Sequence, residues 1–151
     1  MNRVTKTIAL IVIAVAVVAV PAHATAPQAQ VLELTGIITG PDSVAGTWSG
    51  SGFVDDAGTY TETFRFAGNT VHVEKTLLGS QGTILLKAQA VTQWVSECEV
   101  RFTAGSWQIV GGTGAYARLK GGGEPAATSA SFGNVCTGIV KITHAGQAHD
   151  E

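Results

Sequence analysis

The chain has 151 residues, of which 9 are lysine or arginine and 11 are aspartate or glutamate, so its formal net charge at pH 7 is −2. The basic residues are scattered and form no run, whereas a protein that binds a nucleic-acid backbone needs a clustered positive surface. This composition argues against nucleic acid as a partner. The length suits one domain with a modest core and is too short for two.

The first 24 residues have the layout of a secretory signal peptide. Two basic residues, Arg3 and Lys6, precede an uninterrupted apolar run over residues 8–20, and Ala22-His23-Ala24 forms a small-x-small cleavage pattern. A membrane anchor is the alternative, but the apolar run is shorter than the roughly 20 residues that a spanning helix needs. We therefore predict cleavage after Ala24, with Ala26 as the second choice. The mature chain would then be secreted into the extracellular space, with no membrane span.

Removal of the predicted signal peptide leaves 127 residues with 7 basic and 11 acidic side chains, and thus a net charge of −4. We expect residues 25–30 to be a disordered stub, residues 31–145 to form a single domain, and residues 146–151 to be a flexible tail. Two cysteines remain, Cys98 and Cys136. An even number of cysteines in a small exported domain predicts a disulfide. A catalytic thiol is the alternative, but the sequence shows no base to activate it.

From residue 31 onward, short β-prone runs alternate with clusters of glycine, aspartate, asparagine and serine. The predicted strands are residues 31–38, 47–54, 60–66, 70–78, 82–90, 98–103, 107–110 and 135–144. Such even spacing is typical of an antiparallel barrel or a β-sandwich. Glycines inside a strand, such as Gly50 and Gly52, permit the sharp coiling that closure requires. We therefore predict an all-β fold, an eight-stranded closed antiparallel β-barrel, with a β-sandwich as the alternative.

The predicted strand 60–66 carries the candidate site, because alternate residues project to opposite faces of a strand. Tyr60, Glu62 and Phe64 share one face. If that face points inward, Glu62 lies in apolar surroundings that disfavour the charged form of a carboxyl group, which suits proton transfer or the binding of a polar ligand group. The alternatives are a position near the strand end or an ion pair with a basic neighbour such as Lys75. Glu62 is the candidate catalytic residue. The candidate ligand-binding residues are Tyr60, Glu62, Phe64 and Trp48, although Trp48 is also consistent with a simple core position.

The remaining titratable residues give weaker signals. His72 and Glu74 project to the same face of the predicted strand 70–78, where they form either a proton-handling pair or a solvated outer wall. His144 lies close to the predicted flexible end. A metal site needs three or four convergent ligands, and no such spacing occurs. No nucleophile motif is present either. We therefore predict no metal and no cofactor.

The segment from Trp107 to Gly121 holds the sharpest local pattern. Its Gly112-x-Gly114-x-x-Ala117 spacing fits a loose dinucleotide-binding fingerprint, which works only where a strand feeds a helix. Three consecutive glycines, Gly121-Gly122-Gly123, would stop any helix within about two turns. We therefore expect a tight turn here and no nucleotide site.

The same segment, Trp107-Gln-Ile-Val-Gly-Gly-Thr-Gly-Ala-Tyr-Ala-Arg-Leu-Lys-Gly, resembles the strand–turn–strand signature of the allene oxide cyclase and dirigent barrels. That signature has a hydrophobic pair, Gly-Gly-x-Gly, an aromatic residue, small residues and another glycine. The segments Gly58-Thr-Tyr-Thr-Glu-Thr-Phe and Thr76-Leu-Leu-Gly-Ser-Gln-Gly-Thr-Ile also resemble bacterial secreted members of this group. Arg118 departs from the pattern, since many relatives carry a small residue there.

The resemblance implies an eight-stranded barrel with an apolar lumen, and a homo-oligomer, as is frequent among the plant relatives. No catalytic residue of the plant enzymes aligns with this chain, so none is carried over. The expected function is binding of a small apolar ligand in the lumen, or service as an extracellular scaffold. The alternative is an isomerase or cyclase that acts by confining a reactive substrate.

Overall fold

The computed structural model describes residues 24–124 and 131–151. The predicted signal peptide therefore lies outside the described residues, except for Ala24. The described elements, in chain order, are β1 (Gln28–Gly40), β2 (Ser43–Gly52), β3 (Ala57–Ala67), β4 (Thr70–Gly79), β5 (Thr83–Trp94), β6 (Glu99–Gly112), a 3-10 turn (Gly114–Tyr116), β7 (Leu119–Gly123), β8 (Phe132–Asn134) and β9 (Ile139–Asp150). Within these two ranges, no helix has the length and apolar character needed to cross a membrane.

The strands close into one antiparallel barrel. Strands β1 to β6 pair in chain order, and β9 pairs with β1 from Gln28↔Ala148 to Ile37↔Ile139. Strands β7 and β8 share the remaining position between β6 and β9, where they pair at different heights. The barrel thus has eight strand positions filled by nine strands. The predicted eight-stranded closed barrel is confirmed, and the β-sandwich alternative is wrong.

The strand boundaries differ from the prediction mainly at the ends of the domain. Strand β1 begins at Gln28, inside the segment predicted to be a disordered stub, and β9 continues to Asp150, through most of the predicted flexible tail. Both extensions are stabilised by partners remote in sequence, since Gln28 pairs with Ala148 and Leu119 with Asp150. The predicted strands 98–103 and 107–110 form the single strand β6. Strands β7 and β8 were not predicted.

Two glycines show how the barrel curves. Gly52 has φ +113°, a backbone conformation that residues with a Cβ rarely adopt, and a Cβ there would collide with the carbonyl oxygen of Ala29. Gly105 lies inside β6, where a Cβ would collide with the carbonyl oxygen of Gln89 on β5. The β5–β6 register shifts nearby, between Val91 and Thr92. Close approach of the chain at these two positions therefore depends on glycine, as the coiling of a closed sheet often does.

One end of the barrel is filled by side chains, and we call it the closed end. The β2–β3 loop, the β4–β5 turn and the 3-10 turn meet there. Asp56 accepts hydrogen bonds from Tyr116 Oη at 2.7 Å and from Ser80 Oγ at 2.8 Å, so one carboxylate joins all three connections. Beneath them lies a core that includes Leu32, Trp48, Val54, Tyr60, Leu77, Ile84, Ile109, Tyr116 and Leu119.

The glycine segment after Trp107 forms the predicted tight turn at this end. Gly114 has φ +62° and opens the 3-10 turn, and β7 begins three residues after that turn, at Leu119. Thr113 makes no side-chain cap on the turn, and its Oγ1 instead accepts a hydrogen bond from the backbone N–H of Thr83 at 3.1 Å. The segment thus joins two strands and has no helix behind it.

The opposite end, which we call the open end, carries the disulfide. Cys98 and Cys136 are bonded, with their Cα atoms 5.2 Å apart, as the cysteine count predicts. The bond ties the start of β6 to the β8–β9 turn, and the backbone N–H of Val135 donates to the carbonyl oxygen of Cys98 at 2.8 Å. A disulfide is compatible with an oxidising compartment. It restrains the chain at the end where the barrel interior reaches the surface.

Candidate ligand cavity

The open end of the barrel contains an apolar cavity of about 390 Å³. Its wall consists largely of aliphatic and aromatic side chains from β3, β4, β6 and β9, among them Phe64, Val71, Val73, Val100, Val140 and Ile142. Pro41, Phe66, Trp94 and Val135 surround its mouth, where four strand connections meet. Small-molecule sites usually have volumes of about 300–1,000 Å³ and are mostly apolar with a few polar groups. The cavity has this size and this lining.

Three ionisable side chains form the floor of the cavity: Glu62, Lys75 and His144. Each is the innermost cavity-lining residue of its strand, and apolar lining residues lie between it and the mouth. On β3 the order from mouth to floor is Phe66, Phe64, Glu62. The regular alternation of side chains along a strand therefore sets the depth of the charged groups.

Glu62 and Lys75 form a buried ion pair. They lie directly opposite each other in the β3–β4 register, and Lys75 Nζ donates a hydrogen bond to Glu62 Oε2. Their side chains are only 6% and 2% exposed, respectively. The ammonium also lies 5.9 Å from the centroid of the Tyr60 ring. The sequence left open whether Glu62 faces inward or pairs with Lys75, and in the structure it does both.

His144 is 4% exposed, and neither of its ring nitrogens has a hydrogen-bond partner among residues 24–124 and 131–151. Its ring centroid lies 5.6 Å from that of Trp107, with the planes inclined by 37°. Burial and the nearby positive charge of Lys75 hold the pKa of His144 well below its usual 6.5. The imidazole is therefore neutral at pH 7, with one nitrogen that donates and one that accepts.

The structure divides the four predicted ligand-binding residues between two regions. Glu62 and Phe64 line the cavity, whereas Tyr60 and Trp48 belong to the core of the closed end. Trp48 Nε1 donates to the carbonyl oxygen of Leu78 at 3.2 Å. Tyr60 lies one inward position beyond Glu62 on β3, and Trp48 lies two inward positions beyond the lining residue Val44 on β2. Both rings are therefore further from the mouth than the cavity lining, in contrast to the expectation that they face a ligand. The Tyr60 hydroxyl is buried without a partner in the described part of the chain, and burial raises its pKa, so it remains protonated.

Two floor residues were missed as site residues by the sequence analysis. Lys75 was considered only as a partner of Glu62, and His144 was placed near a flexible end. The strand does not end at His144 as predicted, because β9 pairs with β1 from Ile139 to Ala148 and His144 lies opposite Leu32. The alternation of Val140, Ile142 and His144 on one face of the strand was the available signal.

His72 and Glu74 lie on the outer wall of the barrel. Glu74 is exposed and forms an ion pair with Lys87 on β5, with 2.9 Å between Nζ and Oε1. This pair holds the pKa of Glu74 below its usual value. Of the two readings of these residues, the solvated outer face is the one observed.

The described residues offer no group of three or more histidine, cysteine, aspartate or glutamate side chains that could hold a metal ion.

No protein-family model matches the sequence, and neither the curated proteins nor the solved structures gave a match. The barrel shape alone does not identify the allene oxide cyclase or dirigent families, which share it with other proteins. Membership of that group therefore stays a prediction from the glycine segment.

Proposed function

We propose that this barrel binds a small apolar molecule in its cavity and does so outside the cytoplasm. The observation that carries the proposal is the cavity itself, since apolar side chains fill the closed end of the barrel and leave about 390 Å³ at the open end. One water molecule occupies about 30 Å³ of liquid, so the cavity has room for on the order of a dozen non-hydrogen atoms. The disulfide and the predicted signal peptide support an extracellular site of action.

A pure scaffold role would leave this cavity without a use. Filling the barrel completely would stabilise it, because voids in a core cost dispersion contacts. Position 88 could hold a larger side chain, because the small Ala88 lines the cavity between Val73 on β4 and Trp107 on β6. A larger apolar residue there would close part of the cavity. Binding therefore explains the arrangement better than a scaffold does.

A second function is favoured by the buried ion pair at the floor: isomerisation or cyclisation of a confined reactive molecule. The apolar wall would hold the substrate in one geometry, and Glu62 and Lys75 would steer charge as bonds rearrange within it. Both functions need an occupied cavity, and only the second needs the ion pair. The double variant Glu62→Leu/Lys75→Met separates them, because it would retain binding and lose turnover.

The binding proposal is tested with 1-aminonaphthalene, an uncharged probe whose fluorescence rises and shifts to the blue in apolar surroundings. We expect saturable binding to the purified protein. Ala88→Phe places a ring in the cavity and should weaken binding at least tenfold. The matched control is Ala104→Phe, which adds the same ring on the exposed outer face of the neighbouring strand and should bind as the wild type does. Absence of saturable binding, or equal loss in both variants, would contradict the proposal.

A further inference from the structure

The polar groups at the cavity floor are not equally satisfied. Glu62 and Lys75 bind each other, so their charges cancel. His144 lines the same cavity, is more than nine-tenths buried, and has no hydrogen-bond partner for either nitrogen in the described ranges. Leaving a buried polar group unpaired costs about 1–3 kcal/mol, and such groups in native proteins usually have a partner. A ligand that enters the cavity is the available partner.

The charge balance of the floor restricts that ligand. A carboxylate would bring a negative charge into an apolar cavity in which the one ammonium on the floor is already compensated by Glu62. An ammonium ligand would add an uncompensated positive charge beside Lys75. Burying an unpaired ion costs far more than burying a neutral polar group that is hydrogen-bonded. An uncharged group that both donates and accepts suits a neutral imidazole, and a hydroxyl is the smallest such group.

We infer that His144 recognises the hydroxyl group of an uncharged apolar alcohol whose hydrocarbon part fills the cavity. The inference rests on the proposed binding function and deepens it by naming the ligand class. The wall supplies affinity through apolar burial, which distinguishes poorly between similar hydrocarbons. His144 supplies specificity, because an analogue without the hydroxyl leaves the imidazole unpaired. The imidazole lies beside the Trp107 ring, and Trp107 donates a hydrogen bond from its Nε1 to the carbonyl oxygen of Ala145 at 3.0 Å.

The test measures displacement of 1-aminonaphthalene by 1-decanol and by 1-fluorodecane, which differ only in hydroxyl against fluorine. The quantity compared is the ratio of their dissociation constants, 1-fluorodecane over 1-decanol, in each protein. The hydration of each compound is the same whichever variant is measured, so it cancels when the ratios of two variants are compared. A change of this ratio between variants therefore reports the contact with the protein. We expect the ratio to fall about fivefold to tenfold from the wild type to His144→Leu, the range of one buried neutral hydrogen bond.

Two variants control for structural effects. His144→Gln keeps a donor and an acceptor at the floor and should retain most of the wild-type ratio. His149→Leu makes the same replacement as His144→Leu on the same strand, at a position outside the cavity lining, and should leave the ratio unchanged. Should His144→Leu fail to fold, the ¹⁵N resonances of the His144 ring in the wild type give the answer. They should shift with 1-decanol and stay in place with 1-fluorodecane.

The outcomes separate the inference from the function beneath it. If 1-aminonaphthalene, 1-decanol and 1-fluorodecane all fail to bind, the binding function fails and the inference fails with it. If 1-decanol and 1-fluorodecane both displace 1-aminonaphthalene but the ratio of their dissociation constants is independent of His144, binding stands and only the alcohol inference is overturned. Tighter binding of decanoate than of 1-decanol to the wild type would also overturn it, since the floor would then recognise an anion.

Discussion

Replacing Lys75 by methionine would remove the positive partner of a carboxylate buried inside the barrel. Methionine has nearly the length and apolar character of the lysine stem, so the change leaves little cavity and isolates the loss of charge. Glu62, at 6% exposure, cannot recover the lost interaction from water. The expected result is a large loss of stability from a substitution that preserves side-chain volume.

The magnitude follows from the isolation of the carboxylate. Breaking a buried ion pair on one side generally costs about 3–5 kcal/mol, because the remaining charge is left buried without a partner. We therefore expect Lys75→Met to lower the free energy of unfolding by about 3–5 kcal/mol.

The assay is urea unfolding of wild type and variant at pH 7, followed by tryptophan fluorescence. Lys87→Met is the matched control, because Lys87 forms an ion pair with Glu74 on the outer wall and both are exposed. It should leave the free energy of unfolding unchanged within error. The double variant Glu62→Leu/Lys75→Met should recover most of the loss, since a buried ion pair can often be replaced by apolar residues at little cost. The reasoning is refuted if Lys75→Met is no more destabilising than Lys87→Met.

Two further predictions concern the ends of the barrel. Tyr116→Phe removes the 2.7 Å hydrogen bond to Asp56 and should cost about 1–2 kcal/mol in urea unfolding at pH 7. The hydrogen bonds from Tyr116 and Ser80 hold the pKa of Asp56 well below its usual range, so the stabilisation is complete above about pH 4 and is lost as the pH falls. Tyr116→Phe should weaken this pH dependence. Equal dependence of the unfolding free energy on acid pH in wild type and variant would contradict the prediction. Reduction of the Cys98–Cys136 bond, which spans 38 residues, should lower the free energy of unfolding by about 4 kcal/mol, and a urea midpoint unchanged by dithiothreitol would refute this value.

The fold class could be predicted from the sequence because its signals are local. Alternation of apolar and polar residues identifies a strand and its two faces without any knowledge of its neighbours. It placed Tyr60, Glu62 and Phe64 on one face, and that face does point inward. Glycine and aspartate clusters marked the turns in the same way. The disulfide needed only the number of cysteines and the predicted compartment.

The ends of the domain and the position that β7 and β8 share could not be predicted, because they depend on partners far away in the chain. Local signals end the predicted strand at His144, beside a predicted tail, yet pairing of β9 with β1 continues past it and places it in the barrel interior. Strand β7 is short and rich in glycine, and β8 has only three residues. They exist as strands because β6 and β9 leave one position to fill between them. The alternation of Val140, Ile142 and His144 shows that they share a face, but it does not show which strand pairs with β9.

By itself, the sequence determined that this chain is made of antiparallel strands, which residues on each strand share a face, and that its two cysteines pair. Only the tertiary structure decided which depth of the barrel each inward side chain occupies. Depth depends on register and closure, so Trp48 belongs to the filled end whereas Glu62, Lys75 and His144 meet at the floor of a cavity. Hydrophobic patterning specifies inside and outside, and the long-range pairing of strands specifies which inside residues meet.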